Sequence, residues 1–482
     1  MRLSTSAGSA TVGGVEMHDI FRVIELDAGF AVKTNRFDNV PNTNASSSNS
    51  RGPSTVAFSH EAIHSIEAQL AIVVPCKNED VSILDGVLHG IPHECLIILV
   101  SNSDKDKYDA ECALLTSYCT NAQRSGIVAH QHDAGIAQAF IDAGIPEIVA
   151  ENSQPPCIRN GKGEAMIMGV ALAKLAGKHY VGFVDADNLV AGSVHEYCKV
   201  YAAGLHYALN CSDSDTKPQA MVRIKWNSKP KVRDGKIVFE KLGRSSRVVN
   251  EWMNRLLNSL VHGDEQDKKV QTANAGEHAL SLDLAMGLKF ATGYAVEPFQ
   301  LIDAWERLGS NNDSRALLTS DMDLSGYEVD SLEIENSAYS SADELTPSGS
   351  TTTSSYSTPV SSRTSSRPPS RLQAPDVRIL QIETRNPHFH DTGKGDDHIS
   401  KMQAEGLSAI FHSRLIPDKL KDELRQYVKA NLSGVSGVAE DGTPKAPRVY
   451  PPVGTMDFVV FESKVRANAK TIKIVGVVEH VL

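Results

Sequence analysis

The chain has 482 residues, 41% hydrophobic and 22% charged, with a formal net charge of −11. That length can bury a large core, and the acidic balance excludes a general nucleic-acid binder, because neutralising phosphates needs a basic surface. The longest apolar runs, such as LIILV at 96–100, are far too short to span a bilayer, and the polar start MRLSTSAGSATVGG lacks a signal-peptide layout, so no membrane association and a cytoplasmic location are expected.

Seven scattered cysteines (76, 95, 112, 119, 157, 198 and 211) with no C-x-x-C pair suit reduced thiols, and Cys76, at a strand end, reads as packing. The first break in the pattern is NTNASSSNSRGPST at 42–55, a polar loop. His60-Glu-Ala-Ile-His64 matches H-E-x-x-H, the helical zinc signature. Its helix is short and no third ligand follows, so it reads as an exposed helix over the sheet edge.

LAIVVP (70–75) and CLIILVS (95–101) have the apolar density of buried parallel strands. Arg159-Asn-Gly-Lys-Gly-Glu164 opens a helix over 163–177; its glycine turn, Arg159 and Lys162 suit phosphate, or form a plain turn and cap. The P-loop spacing is absent. HYVGFVDA (179–186) is a third strand, and its apolar run should end at Asp185. Asp185 and Asp187, one residue apart at a strand's C-terminal lip, can address one hard divalent cation.

Helical spacing continues at 195–208 and 248–261. Between and around them, Arg223/Lys225, Lys229/Lys231 and Arg244/Arg247 read singly as solvated residues, and together as a seat for an anionic acceptor. Thr272-Ala-Asn-Ala-Gly-Glu-His278 offers one acid and one imidazole to sugar hydroxyls, or caps a helix starting near Ala279. From 309 to 373 the chain turns acidic and then Ser/Thr/Pro-rich, a composition that predicts a disordered insertion. It could carry phosphorylation sites or be a tolerated surface insertion. DVRILQIETR (376–385) resumes as a strand, TRNPHFHD puts His388 and His390 on one side of an extended segment, and 419–432 is helical. The alternation of elements reads as α/β.

Six stretches, IVVPCKNE (72–79), GIPHECLIILVSNS (90–103), RNGKGEAM (159–166), FVDADN (183–188), NAGEHAL (274–280) and QIETRNPHFHDTGKGDDHI (381–399), together closely resemble the mannosyl-3-phosphoglycerate synthases. The resemblance runs from about Gly14 to Leu308 and from about Pro375 to near 430. It implies a GT-A type nucleotide-sugar-binding sheet layered with helices, plus a mixed acceptor-binding C-terminal half. It also implies transfer of mannose from GDP-mannose to 3-phosphoglycerate with retention.

Carried over, it assigns Pro75, Lys77, Asn78 and Glu79 to the guanosine and ribose, Lys162 to the diphosphate, and Asp185, Ala186 and Asp187 to the acidic motif. His388, with His390 as the alternative, joins a divalent metal, magnesium first and manganese or cobalt otherwise. Glu277 holds mannose hydroxyls, and Gly243, Arg244 and Ser245 face the phosphoglycerate.

The expected division is an N-terminal segment 1–66, a nucleotide-sugar part 67–215, an acceptor part 216–308, the insertion 309–373, a metal-histidine strand and helix 374–435, and an extension 436–482. A homodimer is the base-rate expectation. Two rivals remain at this point. A sugar nucleotidyltransferase would share the fold, but PCKNED stands where its Gly-rich loop should be. A catalytically silent regulatory binder would be expected to lose the acids, which are all present.

Overall fold

The computed structural model describes residues 1–6, 8–26, 54–210, 218–233, 236–240, 243–261, 268–309, 376–389 and 396–476. The loop predicted at 42–55, except its last two residues, the insertion predicted at 309–373, except Gly309, and His390 lie outside them.

In chain order, strands β1 (Arg2–Ser4), β2 (Ser9–Val12), β3 (Val15–His18), β4 (Phe21–Glu25) and β5 (Thr55–Ala57) precede helix α1 (His60–Glu67). Strands and helices then alternate as β6 (Leu70–Cys76), α2 (Val81–Gly90), β7 (Leu96–Ser101), α3 (Lys105–Asn121), β8 (Gly126–His130), α4 (Ala134–Asp142), α5 (Lys162–Leu175), β9 (Tyr180–Phe183) and α6 (Ala191–Asn210). The second half comprises β10 (Gln219–Lys225), the hairpin β11 (Lys229–Arg233) and β12 (Lys236–Glu240), α7 (Arg244–Val261), β13 (His278–Ser281), α8 (Leu282–Gly287), β14 (Phe290–Ala291) and α9 (Val296–Leu308). It closes with β15 (Val377–Glu383), α10 (Asp396–Phe411), α11 (Asp418–Asn431), β16 (Val449–Tyr450), α12 (Phe458–Asn468) and β17 (Lys473–Val475).

One mixed sheet takes most of these strands in the order β17-β8-β7-β6-β9-β13-β10-β15-β4-β1-β5, with β3 beside β15 and β2 beside β3, while β11 pairs with β12 and β14 with β16 apart from it. Its central strands alternate between two apolar layers. Ile72, Val74, Ile97 and Leu99 face α1, α2, α3 and α6, whereas Ala71, Val73, Ile98 and Val100 face α4, α5 and the helices of the second half. Burial on both faces explains why β6 and β7 read as unbroken apolar runs. This is the expected sheet layered with helices.

Strands β6, β7 and β8 run outward in parallel, but β9 returns to the other side of β6. Strand order therefore reverses between β6 and β9, and the crevice beyond their C-terminal ends is a topological switch point, where open α/β sheets bind ligands.

Three expectations are corrected. The segment after Glu277 is strand β13, not a helix from Ala279, because it is hydrogen-bonded antiparallel between β9 and β10, and the helix waits until Leu282. Strand β9 ends at Phe183, two residues before Asp185, although the Val184 N–H still donates to the Val73 carbonyl at 3.1 Å. Helix α1 lies on α6 and β6 through Ile63 and Ile66 instead of over the sheet edge. His60, Glu61 and His64 of the H-E-x-x-H match are solvent-facing.

Two contacts tie distant parts of the chain together. The Gly14 N–H donates to the Leu308 carbonyl at 3.0 Å and the Gly14 carbonyl accepts from Val377 N–H at 3.1 Å, so the flanks of the Ser/Thr-rich segment meet at one turn. Near the other sheet edge, the buried Asp133 caps α4: its Oδ1 accepts from Gly135 N–H at 2.7 Å and Ile136 N–H at 3.2 Å. Its Oδ2 accepts from Lys470 N–H at 2.8 Å and Thr471 N–H at 2.6 Å, which docks β17 against β8.

Because both flanks already meet at Gly14, replacing residues 312–370 by a short glycine-serine linker is expected to leave the thermal midpoint within a few degrees of wild type. Calorimetry showing a large drop contradicts this. Burial pushes the Asp133 carboxyl up, but the Thr471, Lys470 and Ile136 donors outweigh it and hold it below its ordinary value. A depressed native value stabilises fully above the unfolded one, near pH 4, and that gain is lost as pH falls through the native value. Asp133→Ala is therefore expected to cost about 2–4 kcal/mol at neutral pH. In denaturant titrations the gap should narrow below about pH 4; a gap independent of pH refutes the charge-based account.

Candidate active site

The antiparallel register of β13 builds the site. His278 lies opposite Phe183 of β9 and Arg223 of β10, so the turn before β13 sits at the C-terminal lips of both neighbours. Strand β15 runs parallel to β10 with Glu383 opposite Lys225, which brings the segment after Thr384 to the same lip. Four separate runs of sequence thus converge at the switch point.

Lys162, the first residue of α5, is at the centre. Its Nζ lies 2.5 Å from Asp185 Oδ1 and 2.8 Å from Glu297 Oε1. Burial pulls the ammonium pKa down, but the Asp185 and Glu297 carboxylates outweigh it and hold the group well above the ordinary lysine value. Gly276 presses against this pair: a Cβ there would come 2.6 Å from both Asp185 Oδ2 and Lys162 Nζ. Any side chain at this position would push that pair out of its present arrangement. Arg159, expected beside Lys162, turns instead to Glu151 at 2.9 Å.

Glu277 is fully buried, and burial together with the Asp185 charge pushes its carboxyl up to about 8. Trp226 Nε1–H donates to its Oε2 at 3.1 Å, while its Oε1 lies 3.7 Å from His388 Nδ1. His388 is 2% exposed and stacks on Trp226 with centroids 4.3 Å apart and planes at 14°. The Tyr197 hydroxyl and the Asn188 amide also approach His388 Nδ1, at 3.2 and 3.4 Å.

The loop carrying His388 is fastened to the loop carrying the aspartates. Leu189 N–H donates to the Phe389 carbonyl at 2.8 Å, and Ser193 Oγ–H to the Pro387 carbonyl at 2.8 Å. Both carboxylate oxygens of the buried Glu196 accept backbone N–H groups, from Arg385 at 2.7 Å and Asn386 at 2.8 Å. Ala186 and Asp187 are buried within this joined pair of loops.

The rim on the β6 side holds Pro75, Lys77, Asn78 and Glu79, with Lys77 and Asn78 exposed. Asn78 takes a left-handed φ of 58°, which asparagine tolerates. Its N–H donates to Ser103 Oγ at 2.7 Å, and its Oδ1 accepts from Asp104 N–H at 2.8 Å, which fixes the rim to the end of β7. On the far side, Gly243, Arg244 and Ser245 form the start of α7. Asn274 Nδ2 donates to Ser245 Oγ at 3.0 Å, linking that helix start to the Gly276 turn.

Two expected roles are corrected. His278 alternates with Glu277, so it faces the opposite apolar layer against Phe183, and its Nδ1 lies 3.1 Å from the Ala275 and Gly276 carbonyls. It braces the turn and is not available to sugar hydroxyls. Arg223 is fully buried, not solvated: its guanidinium donates to the carbonyls of Thr272, Ala273 and Glu297 at 2.9 to 3.1 Å.

Trp226, Glu297, Tyr197 and Glu196 escape the sequence reading. A single tryptophan in KWNSK directly after a strand was a usable signal for the first. Glu297 looks like an ordinary acid in the first turn of a helix, and nothing local marks the other two.

Among the described residues, no group of three or more His, Cys, Asp or Glu side chains is already arranged as a metal cage. The chemistry of the lip nevertheless fits a cation. Asp185, Glu277 and Glu297 gather around Lys162, burial and the Asp185 and Asp187 charges lift Glu277, and Glu277 Oε1 and Glu297 Oε2 are buried without a hydrogen bond. His390 lies outside the described residues. No helix among the described residues is long and apolar enough to cross a membrane.

The chain matches the family model described as mannosyl-3-phosphoglycerate synthase (osmo_MPGsynth) over residues 5–465. It is 30% identical over 465 residues to the mannosyl-3-phosphoglycerate synthase of Pyrococcus furiosus, spanning 95% of this chain and 96% of that one. To the same-named protein of Aeropyrum pernix it is 28% identical, spanning 96% and 97%. A solved structure of glucosyl-3-phosphoglycerate synthase from Mycobacterium tuberculosis with Mn2+, UDP-glucose and phosphoglyceric acid is similar at TM-score 0.42 and 17% identity, over 83% of this chain and 95% of that one. The family match runs past both ends of the resemblance read from the motifs, taking in β16 and most of α12. With that match over nearly the whole chain, and relatives of the same name over nearly their full length, the chain belongs to the mannosyl-3-phosphoglycerate synthase family.

Proposed function

We propose that the protein transfers mannose from GDP-mannose to the 2-hydroxyl of 3-phosphoglycerate with retention, giving mannosyl-3-phosphoglycerate for mannosylglycerate biosynthesis. The observation that carries this reading is the meeting of Lys162, Asp185, Glu277 and His388 at the switch point of a chain of this family. Pro75, Lys77, Asn78 and Glu79 on the adjoining rim take the guanosine and ribose, and Glu277 grips mannose hydroxyls. Gly243, Arg244 and Ser245 take the phosphoglycerate, whose anionic groups suit a helix N-terminus and a guanidinium.

Asp185, Asp187 and His388, or His390 in its place, would hold a divalent metal, which would supply positive charge to offset that of the departing diphosphate. Magnesium is the first candidate, and the imidazole in the donor set widens the choice to manganese and cobalt.

Lys162 stays charged beside its carboxylates and supplies donors to the leaving phosphate, reinforced by the N-terminal amides of α5. The sugar–phosphate C–O bond breaks as the acceptor oxygen approaches on the same face, and the departing phosphate oxygen takes the proton of the 2-hydroxyl. A double displacement would need a carboxylate nucleophile about 5 Å from a second acid. Here Asp185 and Glu297 are tied to Lys162, and Glu277 to Trp226.

The primary test is a coupled assay of GDP release from GDP-mannose with 3-phosphoglycerate. Release dependent on both compounds is expected; release unaffected by omitting the acceptor overturns the reading. A mannosyl adduct on a carboxylate, seen by intact mass, would refute the same-face route. Asp187→Ala and His388→Ala are each expected to lower kcat about 100-fold or more with little change in thermal midpoint, and full activity in chelator-treated wild type would exclude the metal. Gly276→Ala, which drives a methyl group into the Lys162–Asp185 pair, should lower kcat about 100-fold. A fully active Gly276→Ala enzyme would mean that this pair is not held in its working geometry.

A further inference from the structure

We infer that Trp226 is a positioning residue that sets the Glu277 carboxylate and the His388 imidazole against each other, so that one indole joins the sugar grip to the metal-binding arm of the transfer. This rests on the function proposed above. Trp226 follows directly after β10, the strand that lies between β13 and β15. It therefore stands between the segment that delivers Glu277 and the segment that delivers His388, which are 111 positions apart in sequence.

The indole meets each partner through a different part of itself. Its N–H, a donor with no acceptor capacity, is given to Glu277 Oε2 at 3.1 Å. That bond fixes the rotation of a carboxylate that Asp185 and Asp187 repel, and leaves Oε1 turned toward His388 at 3.7 Å. Its face lies against the imidazole at 4.3 Å and 14°, a stack that fixes the ring plane of His388.

A third arm reaches the same ring. Lys229 Nζ lies 4.6 Å over the indole, within cation–π range, and a Cβ built on Gly243 would meet Lys229 Cδ at 3.4 Å. The lysine stem thus runs from the indole to the turn assigned to the phosphoglycerate. Removing the indole would take one contact from each of a carboxylate, an imidazole and an ammonium. An outer residue that orients a metal-binding imidazole is known to tune metal affinity as strongly as it tunes activity.

The test compares Trp226→Phe, which keeps a stacking ring and loses the N–H, with Trp226→Leu, which loses both. For each, the thermal midpoint, kcat and KM for GDP-mannose are measured, together with Mn2+ affinity read without substrate from the paramagnetic resonance of the free ion. Trp226→Phe is expected to lower kcat about tenfold and to leave the Mn2+ Kd within about twofold. Trp226→Leu should lower kcat further and weaken Mn2+ binding by about 10–100-fold. Both variants should melt close to wild type. The inference is overturned if both keep wild-type kcat and Mn2+ affinity, if the phenylalanine variant loses as much Mn2+ affinity as the leucine variant, or if every loss merely follows a lowered midpoint. Should wild type release no GDP with its two substrates, the proposed function fails separately, and the ordering of Mn2+ affinities still decides the role of Trp226.

Discussion

The whole site depends on one electrostatic constraint: several carboxylates must be held at a single sheet lip, where the Lys162 ammonium is in direct contact with two of them. The ammonium touches Asp185 and Glu297, yet burial, together with the charge of Asp185, still lifts Glu277 to about 8. Gathering buried like charges is costly in free energy, and a fold tolerates it where a cationic or sugar-bearing ligand is to be received. The rest of the architecture can be understood as the means of keeping mutually repelling groups in place.

Those means are mostly backbone grips by buried polar side chains. Arg223 holds the carbonyls of Thr272, Ala273 and Glu297, binding the glutamate's helix to the turn before β13. Asn250 and Asn254 of α7 bond Gln271, Ala273 and Val270, so the helix assigned to the acceptor also fixes the approach to Gly276. Glu196 does the same for Arg385 and Asn386. Because each grip lands on main chain, it constrains the path of the loop and leaves its functional side chains free to face the lip. Buried polar groups satisfied in this way avoid the penalty of unpaired ones.

The sequence revealed most where a segment's environment was uniform. Strands β6 and β7, buried on both faces, announced themselves as apolar runs, and the helices at 162–175, 191–210, 244–261 and 418–431 showed their period. The two aspartates were legible because polar residues abruptly follow an apolar strand. Strand β13 was not, since four residues, HALS, carry too little pattern, and only its pairing with β9 and β10 makes it extended. Trp226 and Glu196 were hidden for another reason: their partners lie about 50 to 190 positions away. Arg223 misled for the same cause, because a charged residue in a strand looks solvated until the carbonyls that surround it are known.

The short strand β17 has an effect beyond its three residues. By pairing antiparallel with Gly126–Val128 it covers what would otherwise be the open margin of the large sheet at β8. An uncovered margin of apolar, unpaired backbone is a template on which other chains can add strands. This short strand therefore acts as a selvedge: it helps keep a sheet built around the apolar strands β6 and β7 from being extended by its own copies.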